Sequence, residues 1–444
     1  MALAATVTRP NGRAVAGATV ALLLLTAMTF VNYLDRYILP AVQEQVKGEF
    51  HLTDSQIGSL TFWFMLAYVG ASPVTGWLGD RFRRKPMIVV AALAIAAMNF
   101  LTANVHSYWS LNVRHALLGV GEASFGIFAP ALLADFFAEN QRNRVLTIFN
   151  MALPFGAACS YEGGAWVAAH YGWRMSFVLS AVPGAVIALL ILFWMREPKR
   201  TGGTIAASES VHPTRGDDRT VAMSGPPSSV SEAPRSKGWL SLLRNPAYLC
   251  AILGYAAVTF SLGGISWWMP SFLHRVGGYS IEAAGGVMGP IIVVAGLGGT
   301  ALGGWLAQMW SRKTHRALYL VPAISALLTV PPAVLCFFGP RSLMVPMLSV
   351  AVFLVFLGTG PVNAATLNAV PANLRATAMA GQLFALHVFG DMFSPKLIGV
   401  ISDHANLRLG LGVTLITFVL GAGIFFVGSR YAPVLHDAAG EAVA

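Results

Sequence analysis

The sequence predicts an all-α membrane protein in which twelve transmembrane helices form two pseudo-symmetric six-helix bundles. The first indication is composition: 56% of the 444 residues are hydrophobic and only 11% are charged, whereas soluble domains carry about 25% charged residues. The second is a series of apolar runs, each long enough to cross a bilayer, which takes about twenty residues. The third is one polar stretch that divides the series in the middle.

Six apolar runs precede the polar stretch and six follow it. The runs are 16–40, 55–78, 87–104, 109–133, 144–169, 174–195, 247–272, 281–308, 317–338, 343–366, 377–401 and 409–429. The stretch between them is rich in Gly, Ser, Thr and Pro and has too little apolar content to pack, so we expect a linker. The predicted organisation is a tail 1–15, a bundle 16–196, a linker 197–245, a bundle 246–430 and a tail 431–444.

Lysine and arginine collect in alternate loops, among them residues 81–85, the linker and residues 312–316. By the positive-inside rule these loops lie in the cytoplasm. We therefore expect a multi-pass protein of the cell membrane with both termini cytoplasmic. The same distribution accounts for the net charge of +10, so no nucleic-acid partner is expected.

Two loops, one in each half, resemble each other. Residues 76–85 are Gly-Trp-Leu-Gly-Asp-Arg-Phe-Arg-Arg-Lys, and residues 304–313 are Gly-Trp-Leu-Ala-Gln-Met-Trp-Ser-Arg-Lys. Each segment ends the second run of its half and opens a basic loop. Weak internal symmetry of this kind is typical of secondary transporters built from two related halves.

The segment 76–85 also resembles the loop motif of the major facilitator superfamily. The motif positions are matched by Gly76, Asp80, Arg81, Arg84 and Lys85. Arg83 stands where a glycine is usual in the family. Further segments resemble the Spinster-like branch of that superfamily, namely 32–37 (Asn-Tyr-Leu-Asp-Arg-Tyr), 119–124, 172–174, 375–379, 390–391, 394–395 and 401–403.

This resemblance covers nearly the whole chain outside the N-terminus and the linker. It implies the fold of that superfamily and transport by alternating access. In the Spinster-like branch it further implies lipid-like substrates, such as lysophospholipids or sphingoid phosphates, moved by a proton gradient. The neighbouring anion–cation symporter branch shares part of the first-helix pattern and keeps small organic anions open as substrates.

The first and fourth apolar runs contain four charged residues, Asp35, Arg36, Arg114 and Glu122, and each needs a partner or water. Asp35 and Arg36 point about 100° apart on a helix and cannot neutralise each other. Arg114 and Glu122 share a face of the fourth run, which permits the pairs Asp35–Arg114 and Arg36–Glu122. These are either static ion pairs or a proton switch, with Asp35 and Glu122 taking up protons. Arg36 would then act as the switch or clamp a substrate anion, a task that suits an arginine fork.

Other side chains are candidates for contact with substrate. With Arg36, the set comprises Tyr33, Arg114, Trp267, Asn363, Thr366 and His387. Trp267 could instead belong to an interfacial aromatic belt, and Asn363 and Thr366 could bind only neighbouring helices. His387 shares a face with Asp391, so the two form either a structural pair or a proton relay.

A gate is the second kind of site that the sequence indicates. Asp80 could cap the positive N-terminus of the eleventh span when the cytoplasmic side is shut. Arg81 and Arg84 could latch the same gate by pairing with Asp135 or Glu139. The alternative is that these basic residues only enforce topology.

The function expected is proton-coupled transport of an amphiphilic anion, with the head near spans one and four and the tail along the apolar walls of the second half. The expected partners are that substrate, protons and membrane lipids, and we expect the protein to act as a monomer.

Glu162, in the fifth run, is either a further proton or cation site or a residue of the external vestibule. No metal-ligand set, catalytic triad or Walker loop is visible, so neither an enzyme nor a cofactor or metal is expected. A sugar-acid symporter and a gradient-independent lipid scramblase are the alternatives.

Overall fold

The computed structural model describes residues 17–137, 139–197, 238–371 and 374–434. Within these ranges the regular structure is helical. The predicted N-terminal tail, residues 198–237 of the predicted linker and residues 435–444 of the C-terminal tail lie outside the described residues.

The first half contains six spans, α1 to α6. They are α1 Ala18–Phe50, α2 Asp54–Arg81, α3 Arg84–Thr102, α4 Tyr108–Phe136, α5 Glu139–Cys159 with its continuation through a π-helical turn Ser160–Gly164 and Ala165–Tyr171, and α6 Trp173–Trp194. The second half begins with a short helix, Gly238–Leu242, and contains α7 to α12. They are α7 Pro246–Arg275, α8 Ile281–Ser311, α9 Ala317–Phe338, α10 Arg341–Leu357 with Thr359–Asn368, α11 Arg375–Ala385 with a π-helical turn Leu386–Asp391 and Ser394–His404, and α12 Leu407–Ser429.

The predicted fold class is confirmed. In the described residues, eleven helices are long and apolar enough to span a membrane. The remaining span is α5, whose first turns are polar and whose continuity is broken by the π-helical turn. Only helices satisfy every backbone hydrogen bond within one segment in lipid, which is why the apolar runs fold in this way.

Side-chain caps define where several spans begin. Thr53 accepts a hydrogen bond from the backbone of Gln56, whose side chain in turn accepts one from the backbone of Thr53. The Ser107 hydroxyl likewise accepts from the backbone of Ser110 at the start of α4. These caps satisfy N–H groups that a helix leaves unpaired in its first turn.

The first span is longer than predicted. The apolar run ends at Pro40, but α1 continues to Phe50 with this proline inside it. Its polar extension is held by the second half, since Gln43 donates to the Trp267 carbonyl and the Ser271 hydroxyl, both at 2.8 Å. The apolar pattern ends where the helix leaves the hydrocarbon. The helix itself continues as long as it has residues of the second half to pack against.

The end of the predicted linker packs against the second half. The short helix Gly238–Leu242 places Leu242 in a small apolar cluster with Tyr248 and Val370. Asn245 caps α7 and donates to the Ala369 carbonyl at 2.6 Å. These residues are therefore in contact with α7 and α10.

The two halves meet along two seams, α2 with α11 and α5 with α8. The α2–α11 seam needs glycine, because a Cβ on Gly58 would lie 2.3 Å from the Pro395 oxygen and one on Gly399 would lie 2.4 Å from the Asp54 oxygen. The backbones of the two helices are thus in direct contact. This crossing lies at the end of the molecule that carries the α1–α2 loop, called here the α1–α2 end.

Candidate functional site

A central cavity of about 240 Å³ lies between the halves. Spans α1, α2 and α4 form one wall, and α7, α10 and α11 form the other. Its lining comprises Arg36, Tyr37, Pro40, Thr61, Phe64, Met65, His115, Thr259, Leu262, Gly263, Ser266, Trp267, Phe356 and Asp391. Most of these are apolar or aromatic, so the two charged side chains dominate the electrostatics of the cavity.

An ion pair between Arg36 and Glu122 stands in the first-half wall. Arg36 Nε and Nη2 lie 2.7 Å and 2.5 Å from Glu122 Oε2. The Glu122 side chain is fully buried, whereas 16% of the Arg36 side chain is exposed. The guanidinium carbon also lies 5.1–5.4 Å from the ring centres of Tyr33, Phe64 and Tyr68. These aromatic faces stabilise the cation and fix its position at the cavity.

Asp35 does not line the cavity. It is buried inside the first half, beside Asn99 of α3 and Ser180 of α6. Its carboxylate lies near the polar side chains of these two residues, and it has no ion-pair partner among the described residues. Because adjacent positions on a helix diverge by about 100°, the rotation that turns Arg36 towards the cavity turns Asp35 away from it.

The pair Asp35–Arg114 is not formed, and Arg114 does not line the cavity. Arg114 donates to the Leu101 carbonyl at the end of α3. The residue that faces the cavity from this turn of α4 is His115, which stacks on Phe64 with ring centres 5.0 Å apart. The helical period explains the error, since positions seven apart nearly eclipse while positions eight apart diverge by about 80°.

The second-half wall contains Trp267 and, on α11, the pair His387–Asp391. Asp391 lines the cavity, and its oxygens lie 3.1 Å and 3.2 Å from His387 Nδ1. The His387 ring packs edge-on against Tyr68 of the first half at 5.3 Å. Trp267 is 94% buried, and its indole N–H has no partner among the described residues.

Asn363 and Thr366 do not line the cavity. Asn363 accepts a hydrogen bond from Gln382 at 2.6 Å, and the fully buried Thr366 donates to the Val362 carbonyl at 3.0 Å. Both contacts stay within the second half. Asn363 therefore bonds to a neighbouring helix, as one of the two alternatives stated, whereas Thr366 bonds within its own helix.

Of the predicted gate residues, Arg84 and Arg81 make contacts within the first half. Arg84 donates to Asp135 at 2.5 Å and to the Ala131 carbonyl at 3.0 Å, which ties α3 to α4. The Arg81 guanidinium lies over the Trp77 ring at 4.3 Å. The side chains of Asp80 and Glu139 lie outside the part of the chain that the structure describes.

Sequence reasoning missed an ionic cluster at the α1–α2 end, formed by Glu44, Lys47, Asp54 and Arg275 and called here the end cluster. Arg275 of α7 donates to both oxygens of Glu44 at 2.7–3.0 Å and to both oxygens of Asp54 at 2.7 Å and 2.9 Å. Lys47 also pairs with Asp54. The sequence signal that could have predicted this cluster is opposite charge, because α1 and α2 contain acidic residues at the end of the molecule where α7 ends in an arginine.

Asp403 of α11 adds to this closure by accepting from the backbone N–H groups of Asp54 and Ser55 at 2.7 Å and 2.8 Å. All hydrogen bonds and ion pairs between described residues of the two halves lie between the central cavity and this end. The molecule is therefore closed at the α1–α2 end.

Glu162 lies away from the central cavity. The π-helical turn of α5 places it in a lateral groove between α5 and α8, where Glu282 also lies. Both side chains are exposed at this surface. The groove opens on the side of the molecule, so Glu162 has no direct contact with the Arg36–Glu122 pair.

The fold and this site define a membrane transporter of two six-helix halves with a central cavity between them. The family model "Major Facilitator Superfamily" matches residues 25–385. The chain belongs to that superfamily. It also belongs to the Spinster-like branch, since "Protein spinster homolog 1" of Rattus norvegicus is 30% identical over 405 residues, covering 87% of this chain and 73% of the relative.

Two curated relatives and one solved structure illustrate the match. "Protein spinster homolog 1" of Xenopus tropicalis is 29% identical over 439 residues, covering 92% of this chain and 80% of the relative. "Sphingosine-1-phosphate transporter SPNS2" of the same organism is 28% identical over 440 residues, covering 91% and 80%. The crystal structure of a bacterial homolog to the human lysosomal transporter Spinster, inward-facing and unoccupied, has a TM-score of 0.80 at 20% identity and covers 94% of this chain and 98% of that one. The structural match supports the fold.

Proposed function

We propose that this protein is a proton-coupled secondary transporter that moves an amphiphilic anionic lipid, of the lysophospholipid or sphingoid type, by alternating access. The observation that carries the proposal is the ion pair between Arg36, which lines the cavity, and the fully buried Glu122. The carboxylate of Glu122 is shielded from water and holds the Arg36 guanidinium. A proton on Glu122 therefore removes the partner of Arg36 and changes what Arg36 can bind.

The proposed coupling step is an exchange of partners at Arg36. A proton on Glu122 neutralises the carboxylate and weakens its hold on the guanidinium. Arg36 can then bind the anionic head of a substrate in the cavity. When the substrate leaves, Arg36 returns to Glu122 and displaces the proton, because an uncompensated charge in this interior is costly.

The proposed orientation places both termini in the cytoplasm and the α1–α2 end on the external side of the cell membrane. The moving bodies are the bundles 16–196 and 246–430, and a monomer suffices because the cavity lies within one chain. In this orientation the described state is closed to the outside. The opposite state requires the end cluster to separate.

A lipid-like substrate is supported by the cavity walls and by one relative. The second-half wall offers Leu262 and Phe356 to a tail. The relative named as a sphingosine-1-phosphate transporter is similar along 91% of this chain. A small sugar acid would leave these apolar walls without a partner.

The test is uptake of a labelled lysophospholipid into vesicles that contain the purified protein. A proton gradient should drive uptake, and an ionophore that collapses the gradient should stop net accumulation. Glu122→Gln should abolish driven uptake and leave binding of the lipid measurable. The matched control is Glu162→Gln, because Glu162 is an exposed glutamate away from the cavity and its loss should leave driven uptake near the wild-type rate.

Three results would count against the proposal. Flux that is indifferent to the gradient would identify a passive scramblase. Full driven uptake by Glu122→Gln would remove Glu122 from the coupling step. Binding of a sugar acid in preference to the lysophospholipid would replace the proposed substrate with a small organic anion.

A further inference from the structure

We propose that the first half binds one sodium ion at a site behind the cavity wall. Its ligands are side-chain oxygens of Asn32, Asp35, Asn99 and Ser180. The ion neutralises Asp35 and holds α1 at a fixed rotation within its bundle. All four residues belong to the first half, so the ion remains bound while the two halves move relative to each other. This site is separate from the central cavity and does not depend on the identity of the substrate.

The site lies where three helices of the first half meet. Asp35 of α1 lies beside Asn99 of α3 and Ser180 of α6, and Asn32 precedes Asp35 by one turn of α1. The exposed fraction of each of these four residues is between 0% and 4%. They therefore form a polar group inside the bundle that bulk water does not reach.

A tightly packed apolar layer lies one turn away from this polar group on the same three helices. A Cβ on Gly184 of α6 would lie 3.5 Å from Cγ1 of Val31 and 3.7 Å from Cβ of Ala96. The three backbones are thus held close together next to the polar group. A confined site of this kind suits a small cation, since cavity size and ligand number decide which hard cation is bound. Sodium is smaller than potassium and is the better fit.

The charges of the first-half wall leave one carboxylate without a counter-charge. Arg36 pairs with Glu122, whereas Asp35 has no ion-pair partner among the described residues. A buried charge is costly unless a partner compensates it. One carboxylate balances one positive charge, so a monovalent ion fits this site and a divalent ion does not.

The polar group also contains more acceptor oxygens than donors. In the part of the chain that the structure describes, Oδ1 of Asn32 and Oδ1 of Asn99 have no hydrogen-bond partner. The Ser180 hydroxyl donates to the Phe177 carbonyl at 3.0 Å, which leaves its oxygen free to act as a ligand. A proton on Asp35 would satisfy one acceptor, whereas a hard cation binds several oxygens at once. The surplus of oxygens therefore favours sodium over a proton.

The ion affects the cavity through the adjacent residue of α1. Asp35 is directed towards α3 and α6, while Arg36, the next residue, lines the cavity. Binding of Asp35 to an ion shared with α3 and α6 fixes the rotation of α1 at this turn. The same rotation directs Arg36 to Glu122. The sodium ion is therefore a structural ion that positions the cavity wall, and it is not the ion that drives transport.

The test is the melting temperature of the purified full-length protein in detergent. Sodium chloride replaces N-methylglucamine chloride at constant pH and ionic strength. Sodium should raise the melting temperature by a few degrees and the effect should saturate, because a ligand that binds the folded state stabilises it. Potassium should give a smaller rise at the same concentration.

Two variants locate the site. Asp35→Asn removes the charged ligand, so the rise with sodium should disappear. The matched control is Glu162→Gln, which removes an exposed carboxylate of the lateral groove and should keep the full response. Asn99→Ala removes one neutral ligand and should raise the sodium concentration at half-maximal effect roughly tenfold.

The wild type alone can overturn the proposal. A melting temperature that is the same in sodium, potassium and N-methylglucamine would do so, and this measurement requires no variant to fold. A sodium response that persists in Asp35→Asn would place the ion elsewhere. If Asp35→Asn cannot be purified, an unchanged half-maximal concentration in Asn99→Ala would overturn the site in its place.

A separate measurement distinguishes this inference from the proposed function. A sodium gradient imposed on vesicles without a proton gradient should not drive lipid uptake, because the ion stays in the first half. Uptake driven by sodium alone would overturn the structural role of the ion. Absence of sodium binding would leave proton-driven lipid uptake untouched, since that proposal depends on Arg36 and Glu122.

Discussion

Arg275 is the side chain whose loss should most directly open the α1–α2 end. It donates to both oxygens of Glu44 on α1 and both oxygens of Asp54 on α2. Its side chain is 24% exposed, and that of Asp54 is 5% exposed, so the cluster is largely shielded from water. The substitution Arg275→Gln keeps most of the length but removes the charge that holds the two acids.

The magnitude follows from this geometry. Removing one member of a buried, hydrogen-bonded charge pair costs about 2–5 kcal/mol, and partial exposure places Arg275 at the lower end of that range. Lys47 still pairs with Asp54 and limits the loss further. A cost of about 2 kcal/mol to the closed state shifts the equilibrium roughly 30-fold. If the closed state is favoured about a hundredfold, roughly a quarter of the molecules would then be open at this end.

The assay is a spin-label distance across the α1–α2 end. Cysteines are introduced at Gly48, where a Cβ meets nothing within 4 Å, and at the exposed Ala405, in a background without the native cysteines. Arg275→Gln should add a population with a longer distance. The matched control is Arg174→Gln, which breaks a pair with Glu49 at the same end but inside the first half. Identical distance distributions for the two variants would refute the idea that the end cluster holds the halves together.

Three further results are expected. Trp267→Phe keeps an aromatic ring but removes the unpaired indole N–H, so lysophospholipid binding should weaken roughly two- to tenfold; unchanged affinity would remove this donor from the site. Gly58→Ala places a Cβ 2.3 Å from the Pro395 oxygen, so the same spin-label distance should lengthen, and an unaltered distance would mean that the seam tolerates the methyl group. Asp35→Asn breaks no ion pair, whereas Glu122→Gln strands Arg36 at a cost of about 3 kcal/mol or more. The melting temperature in detergent should therefore fall less for Asp35→Asn, and the reverse order would contradict the assignment of Glu122 as the partner of Arg36.

The spans could be predicted from the sequence because the bilayer imposes one rule on all of them. An apolar run of about twenty residues has few alternatives to a transmembrane helix. That rule ends with the hydrocarbon, so it gives no information on residues 41–50, which continue α1 through contacts with α7. It is also silent on the π-helical turn at Ser160–Gly164, since one extra residue in a turn leaves the apolar composition unchanged.

The site was harder to predict, because a helix distributes neighbouring residues over different faces. Opposite charges in two spans indicated a pair, and the structure brings Arg36 and Glu122 together. The spacing argument placed Arg114 on the same helix face as Glu122. Positions seven apart share a face more closely than positions eight apart, and it is His115 that lines the cavity. The end cluster was missed for another reason: ion pairs were sought inside the apolar runs and at the basic loops, whereas Arg275 and Asp54 pair across the halves at the α1–α2 end.

Helix α1 contributes a residue both to the Arg36–Glu122 ion pair and to the end cluster. Arg36, the partner of Glu122, and Glu44, a partner of Arg275, lie eight positions apart on α1, which is about 12 Å along its axis. Pro40 lies between them and removes one backbone hydrogen bond from the helix. Protonation of Glu122 weakens the ion pair that fixes the segment of α1 before Pro40. The segment after Pro40 contains Glu44, which belongs to the end cluster that closes the molecule. We therefore expect the coupling between protonation and closure to run through α1, since the two ion pairs bias the position of the same helix.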